Sequence, residues 1–183
     1  VTLLGSVVNI ILVMIKFAAG IIGASAAMIA DAVHSLSDLI TDIIVIVFVR
    51  ISSKPADSDH HYGHGKYETL ATLLVGGALL AVGIMLLEGG VEKIISAING
   101  ETLPTPGIAA LLAALASILL KEAVYQVTAR VGRRVKSEAV IANAWHHRSD
   151  AISSIGAAMG IGGAMLLGPQ WAVLDPIAAI IVS

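Results

Sequence analysis

Cysteine is absent from the 183 residues, which excludes both disulfides and thiolate-ligated metal centres. Charge is scarce as well. Asp, Glu, Lys and Arg make up 13% of the chain, against about a quarter in soluble domains, so there is too little polar surface for a water-soluble fold of this size. The net charge is -2, which argues against nucleic acid or any strongly charged partner. No initiating Met precedes Val1, and no basic segment or small-residue cleavage site marks Val1–Ile15 as a signal peptide. What fills the chain is apolar: 57% hydrophobic residues and a mean hydropathy of +0.90, the signature of an integral membrane protein. Both ends fall inside apolar runs, so the expectation is a transmembrane fragment whose soluble tails lie outside it.

A membrane-crossing helix needs about 20 mostly apolar residues. On that measure the sequence predicts spans over 3–23, 26–51, 68–88, 107–129 and 138–167, with a truncated sixth over 175–183. The fold class expected is an all-α, six-helix transmembrane bundle with no C-terminal cytoplasmic domain. Pro104 and Pro106 mark the approach to the fourth span, and Ser137 is placed to cap the fifth. The segment RVGRRVK carries Arg130, Arg133, Arg134 and Lys136, and the segment between spans two and three carries Arg50, Lys54 and Lys66. Loops on the other side hold Lys93 beside Glu92 and Glu101. The positive-inside rule then places the amino terminus in the cytoplasm.

Two windows echo one another. Residues 30–42 read ADAVHSLSDLITD and residues 142–154 read ANAWHHRSDAISS. Ala, Ala, His, Ser, Asp and Ile coincide, and the register pairs His34 with His146 rather than with His147. Each window thus holds His-x-x-x-Asp: His34 with Asp38, and His146 with Asp150. A spacing of four puts both side chains on one helical face, about one turn apart. Counting residues from the cytoplasmic ends, at about 1.5 Å per residue, the two pairs meet at a common depth near ~20 Å. Ionisable residues inside a membrane cost at least ~2.5 kcal/mol each on insertion scales, so these four must be neutralised, paired, or holding something. Two imidazoles and two carboxylates form an N2O2 set that zinc accepts. A buried His–Asp network that only glues two helices is the alternative.

The polar pattern extends beyond the pairs. Asp31, Ser35, Asp38 and Asp42 share a face of span two, and Asn143, His146, Asp150 and Ser154 share one of span five. Such stripes suit either a wet path to the site or interhelical hydrogen bonding. In span one, Asn9 and Lys16 stand two turns apart, with Lys16 expected to snorkel or to form an ion pair. Lys121 and Glu122 are expected to pair locally or with a neighbouring helix, and Gly156 and Gly160 to admit close helix packing. The segment PADSDHHYGHGK, residues 55–66, gathers two Asp and three His, a composition compatible with metal binding or with simple solvation. His147 and Arg148 have no assigned role, although Arg148 is expected to pair with an acid or to reach cytoplasmic water.

The stretches SAAMIADAVHSLSDL, PADSDHHYGHGKYE and NAWHHRSDAISS, in this order and spacing, resemble the cation diffusion facilitators, six-span metal/proton antiporters that work as homodimers. The resemblance covers nearly the whole chain. It implies a transport site of His34, Asp38, His146 and Asp150, and a secondary cytoplasmic site or relay of Asp57, His60 and His64, with His61 less defined. It also implies a salt bridge by Lys66 near a dimer contact, and a cytoplasmic C-terminal metal-binding domain that this chain does not contain. The function expected is efflux of a divalent cation, zinc before iron(II), cobalt or cadmium, by alternating access in exchange for protons. The metal is substrate, not cofactor; the partners are lipid, protons and a second copy of the chain, and the location is a bacterial inner membrane. An ordinary imidazole titrates near pH ~6.5, and a bound dication excludes the proton from the same nitrogen, which gives the exchange a physical basis. A membrane metallohydrolase would need an open metal position and a general base, and no extra Glu adjoins either motif, so no enzyme is expected. A passive channel or scaffold would not need the His–Asp pairs.

Overall fold

The computed structural model describes residues 2–52 and 66–182. Helices α1 (Thr2–Ile22), α2 (Ala26–Ser52), α3 (Lys66–Ile98), α4 (Ile108–Val135), α5 (Glu138–Leu167) and α6 (Leu174–Val182) form an all-α bundle, and no strand occurs among the described residues. By length and composition Thr69–Ile98, Ile108–Val135 and Val140–Leu167 are apolar enough to cross a membrane. Val7–Ile22 and Pro169–Val182 are shorter apolar helices. The outer faces of the bundle are apolar, with Leu73, Leu80, Met85, Leu119 and Met159 all exposed, as expected of side chains that face lipid.

Two helices outrun their expected ends. The apolar run of α3 stops at Glu88, yet the helix continues through Glu92 and Lys93 to Ile98, because backbone hydrogen bonding does not end where hydropathy does. In the same way α4 absorbs Arg130, Arg133 and Arg134, expected in a loop, and ends at Val135. Its last turns are supported by i, i+4 contacts: Gln126 donates to Glu122 at 3.0 Å and Arg130 donates to Gln126 at 2.9 Å. Lys136 takes a left-handed conformation as the C-cap. Ser137 then caps α5, accepting from the Val140 amide.

The centre of the bundle is α2, which packs against α1, α3, α5 and α6, while α4 packs along α5 and α1. The core is built from small side chains, among them Ala27, Ala110, Ala114, Ala157 and Ala178 around Met28 and Ile161. Small residues let helices approach closely, the main source of packing energy where lipid and side chains are equally apolar. Gly160 follows this logic, since a methyl group there would collide with Ala178 of α6. The opposite end of the bundle is tied by Asp175 at the start of α6. Its carboxylate accepts from Ser25 Oγ and the Ala26 amide, both at 2.6 Å, and so serves donors at the N-terminus of α2 that have no partner within the helix. Nearby, the Gly107 amide donates to the Gly23 carbonyl at 2.8 Å, a close approach that a side chain on either glycine would obstruct. These ties hold the start of α2 on α6 and the start of α4 on the end of α1.

Candidate metal centre

The polar faces of α2 and α5 meet inside the bundle, with one lysine from α1 and one from α4 pointing between them. The interior divides into a dry tier and a candidate ligand tier.

In the dry tier, Lys16 and Asp31 are both fully buried, and Lys16 Nζ lies 2.8 Å from Asp31 Oδ2. Lys16 also donates to Ser35 Oγ at 3.0 Å and to Ser154 Oγ at 3.2 Å. Ser154 in turn donates to Asp31, at 2.9 Å to its nearer oxygen. Ser35 and Ser154 have no exposed surface. The expected ion pair of Lys16 is thus found, with Asp31 as partner. A wet path through Asp31, Ser35 and Ser154 is not: this part of both stripes is a closed, fully buried network, because Lys16 supplies the donors that water would otherwise provide.

The ligand tier lies one turn further along α2. His34, Asp38 and Asp150 each present an atom such that all three atoms lie within 4.8 Å of one another. His34 Nε2 stands 3.8 Å from Asp38 Oδ2, too far for a hydrogen bond. Asp38 Oδ2 and Asp150 Oδ2 are buried without a hydrogen-bond partner, a costly state for carboxylate oxygens. A cavity of about 210 Å³ opens onto His34, Ser37 and Asp38 and is walled by Leu79, Val82 and Leu86 of α3. His146 is placed differently. Its Nδ1 is 3.9 Å from Asp150 Oδ1, but it does not join the three converging ligand atoms, although the two imidazoles are about equally exposed, 44% for His146 and 41% for His34. The ring lies 6.1 Å from that of His147. Three of the four expected ligands therefore come together, and His146 sits at their rim.

Sequence reasoning left open the partner of Lys121, which is 2% exposed and reaches from α4 to within 3.0 Å of Asp150 Oδ2. It also donates to Ser35 Oγ at 3.3 Å. Charge balance is the signal that points to it: three interior acids, Asp31, Asp38 and Asp150, call for more than the one cation on α1. Glu122, the neighbour of Lys121, lies 4.0 Å from Arg148 Nε on α5. Arg148 donates to Tyr125 Oη at 3.2 Å and covers the Tyr125 ring at 4.8 Å, so it pairs with an acid as expected and is held by an aromatic face. Asp57, His60, His61 and His64 lie outside the described residues. Lys66 is the exposed first residue of α3.

The chain is thus a helical membrane domain with an interior imidazole–carboxylate cluster of metal-binding type. Residues 2–183 match the cation efflux transmembrane domain, and the chain belongs to that family, the cation diffusion facilitators. It is 39% identical over 192 residues to metal tolerance protein C1 of Arabidopsis thaliana, an alignment covering 98% of this chain and 40% of that protein. It is 36% identical over 187 residues to the manganese efflux system protein MneP of Bacillus subtilis, covering 100% and 61%. With magnetosome protein MamB of Magnetospirillum gryphiswaldense it shares 35% identity over 175 residues, covering 96% and 57%. The chain therefore spans only 40% to 61% of the length of these relatives.

Proposed function

We propose that this chain is the ion-translocating part of a divalent-cation efflux transporter, with zinc as the preferred cargo, and that His34, Asp38, Asp150 and His146 carry the ion. The observation that supports this most is the buried Asp38 Oδ2, which has no hydrogen-bond partner, gathered with His34 and Asp150 inside a bundle of the cation efflux family. A dication between them satisfies both carboxylates and the imidazole nitrogen at once. Rotation of the His146 ring towards Asp150 completes an N2O2 set, suited to zinc and also to iron(II), cobalt or cadmium. A set of oxygens alone would favour manganese or magnesium. The cavity beside His34 and Asp38 is the natural approach for the ion.

Exchange follows from shared nitrogens. An imidazole that binds a proton cannot bind the metal at the same atom, so proton arrival from one side of the membrane favours release there. In this reading the amino terminus faces the cytoplasm, the membrane is a bacterial inner membrane, and the working unit is a homodimer. Asp57, His60 and His64 act as a second, cytoplasmic metal site. The test is zinc flux into proteoliposomes that hold the full-length protein and a trapped pH indicator. Zinc entry should carry a stoichiometric counter-movement of protons and should speed up when the vesicle lumen is more acidic than the outer medium. Equal zinc flux with no proton movement would contradict the exchange.

A further inference from the structure

The two interior lysines are held in different ways. Lys16 is closed into its tier, since it pairs with Asp31 at 2.8 Å and donates to two buried hydroxyls. Lys121 sits against a proposed ligand. Its ammonium is 3.0 Å from Asp150 Oδ2, yet that oxygen lacks hydrogen-bonding geometry to any donor, so the contact is one of charge and not of alignment. It donates to Ser35 Oγ at 3.3 Å, and Ser35 also accepts from Lys16. A zinc ion bound by Asp150 stands ~2.0–2.2 Å from a carboxylate oxygen. A dication on that carboxylate and the ammonium beside it repel one another strongly in a medium that screens poorly. The lysine stem has four rotatable carbons and an ammonium that can turn its donors towards Ser35.

We propose that Lys121 is a tethered counter-cation of the transport site: it occupies Asp150 when no metal is bound, yields it to the incoming dication, and returns as the ion departs. It thereby lowers the affinity for metal and speeds release, so that the interior is never left with a bare acid pair. The inference rests on the assignment of Asp38 and Asp150 as metal ligands. It makes Lys121 a positioning residue whose removal strengthens binding, the opposite of what loss of a structural strut would do.

The experiment is calorimetric titration of zinc chloride into the full-length protein in lipid nanodiscs. Lys121→Met and Lys121→Gln should bind zinc more tightly by about ten- to a hundredfold, the factor by which one charge-assisted contact shifts an equilibrium, and should transport more slowly at saturating zinc. Lys121→Arg keeps the charge and should restore affinity to within about threefold of the parent, a margin of well under 1.4 kcal/mol. Equal or weaker binding by the folded Met or Gln variant overturns the proposal. A second measurement needs no destabilised variant: the side-chain resonance of Lys121 in selectively labelled protein should move on zinc addition while that of Lys16 stays in place, and an unmoved Lys121 resonance overturns it equally. Asp38→Ala separates the two levels. If it binds zinc as the parent does, the ligand assignment fails and this inference with it; if it loses zinc while the Lys121 variants leave affinity unchanged, only the inference fails.

Discussion

Replacing Asp38 or Asp150 with alanine should reduce zinc flux in proteoliposomes by about a hundredfold or more, since loss of even an outer partner costs metal sites ~10–100-fold in affinity. The two variants should differ in a telling way. Asp38 lies 21% exposed beside the cavity, with His34 as its near neighbour, so Asp38→Ala should fold normally and fail only in binding. Asp150 is 4% exposed and faces Lys121. Asp150→Ala leaves that ammonium buried without its carboxylate, and removing one partner of such a pair destabilises by about 3–5 kcal/mol. Asp150→Ala should therefore lose both transport and thermal stability, whereas the double variant Asp150→Ala/Lys121→Met should regain stability and remain inactive. Flux is read by a zinc-sensitive dye and stability by thermal unfolding in detergent. Transport by Asp38→Ala within threefold of the parent, a difference under ~1 kcal/mol, would remove Asp38 from the site.

The second large effect lies in the dry tier. Lys16→Met should lower stability by about 3–5 kcal/mol, because it strands Asp31 as an uncompensated buried charge. Asp31 keeps Ser154 as a hydroxyl donor at 2.9 Å, which offsets part of that cost. Replacing both partners with apolar residues of similar size, Lys16→Met/Asp31→Leu, should recover most of the loss, since buried ion pairs are often matched by good apolar packing. The coupling energy between the two sites is the informative quantity. A value near zero would mean that the 2.8 Å contact contributes nothing to holding α1 on α2. Zinc affinity of the folded variants should change little, because neither residue belongs to the ligand tier. This separates the dry tier, which holds helices together, from the tier that handles the ion.

How much of this was legible in the sequence depends on whether the signal runs along one helix or between helices. Periodicity reports residues that share a face. Hence His34 and Asp38, the echo that pairs that window with Asp150, and the Ser137 cap could all be read from spacing alone. The contacts of Lys16 with Asp31 and of Lys121 with Asp150 join different helices, separated in sequence by 15 and 29 positions, and no spacing rule covers such distances. Charge neutrality could have narrowed the choice, since few interior cations face several interior acids. The rim position of His146 was not legible because spacing fixes the face of α5 that it occupies, while the direction of its ring depends on packing. The continuation of α3 past Glu88 and of α4 through Arg134 was hidden for another reason: hydropathy reports where the apolar layer ends, while helices can project beyond it as long as their backbone remains bonded.

Transport by this route depends on one location for the ion. Crystals of the full-length protein grown with zinc, with data collected on both sides of the zinc absorption edge, would show that location without reference to activity. The expected result is an anomalous peak between His34, Asp38 and Asp150, with His146 turned inward to within coordination distance of about 2.0–2.1 Å and the Lys121 ammonium withdrawn towards Ser35. A well-ordered zinc peak elsewhere in the membrane interior, with Asp38 and Asp150 unliganded, would contradict it.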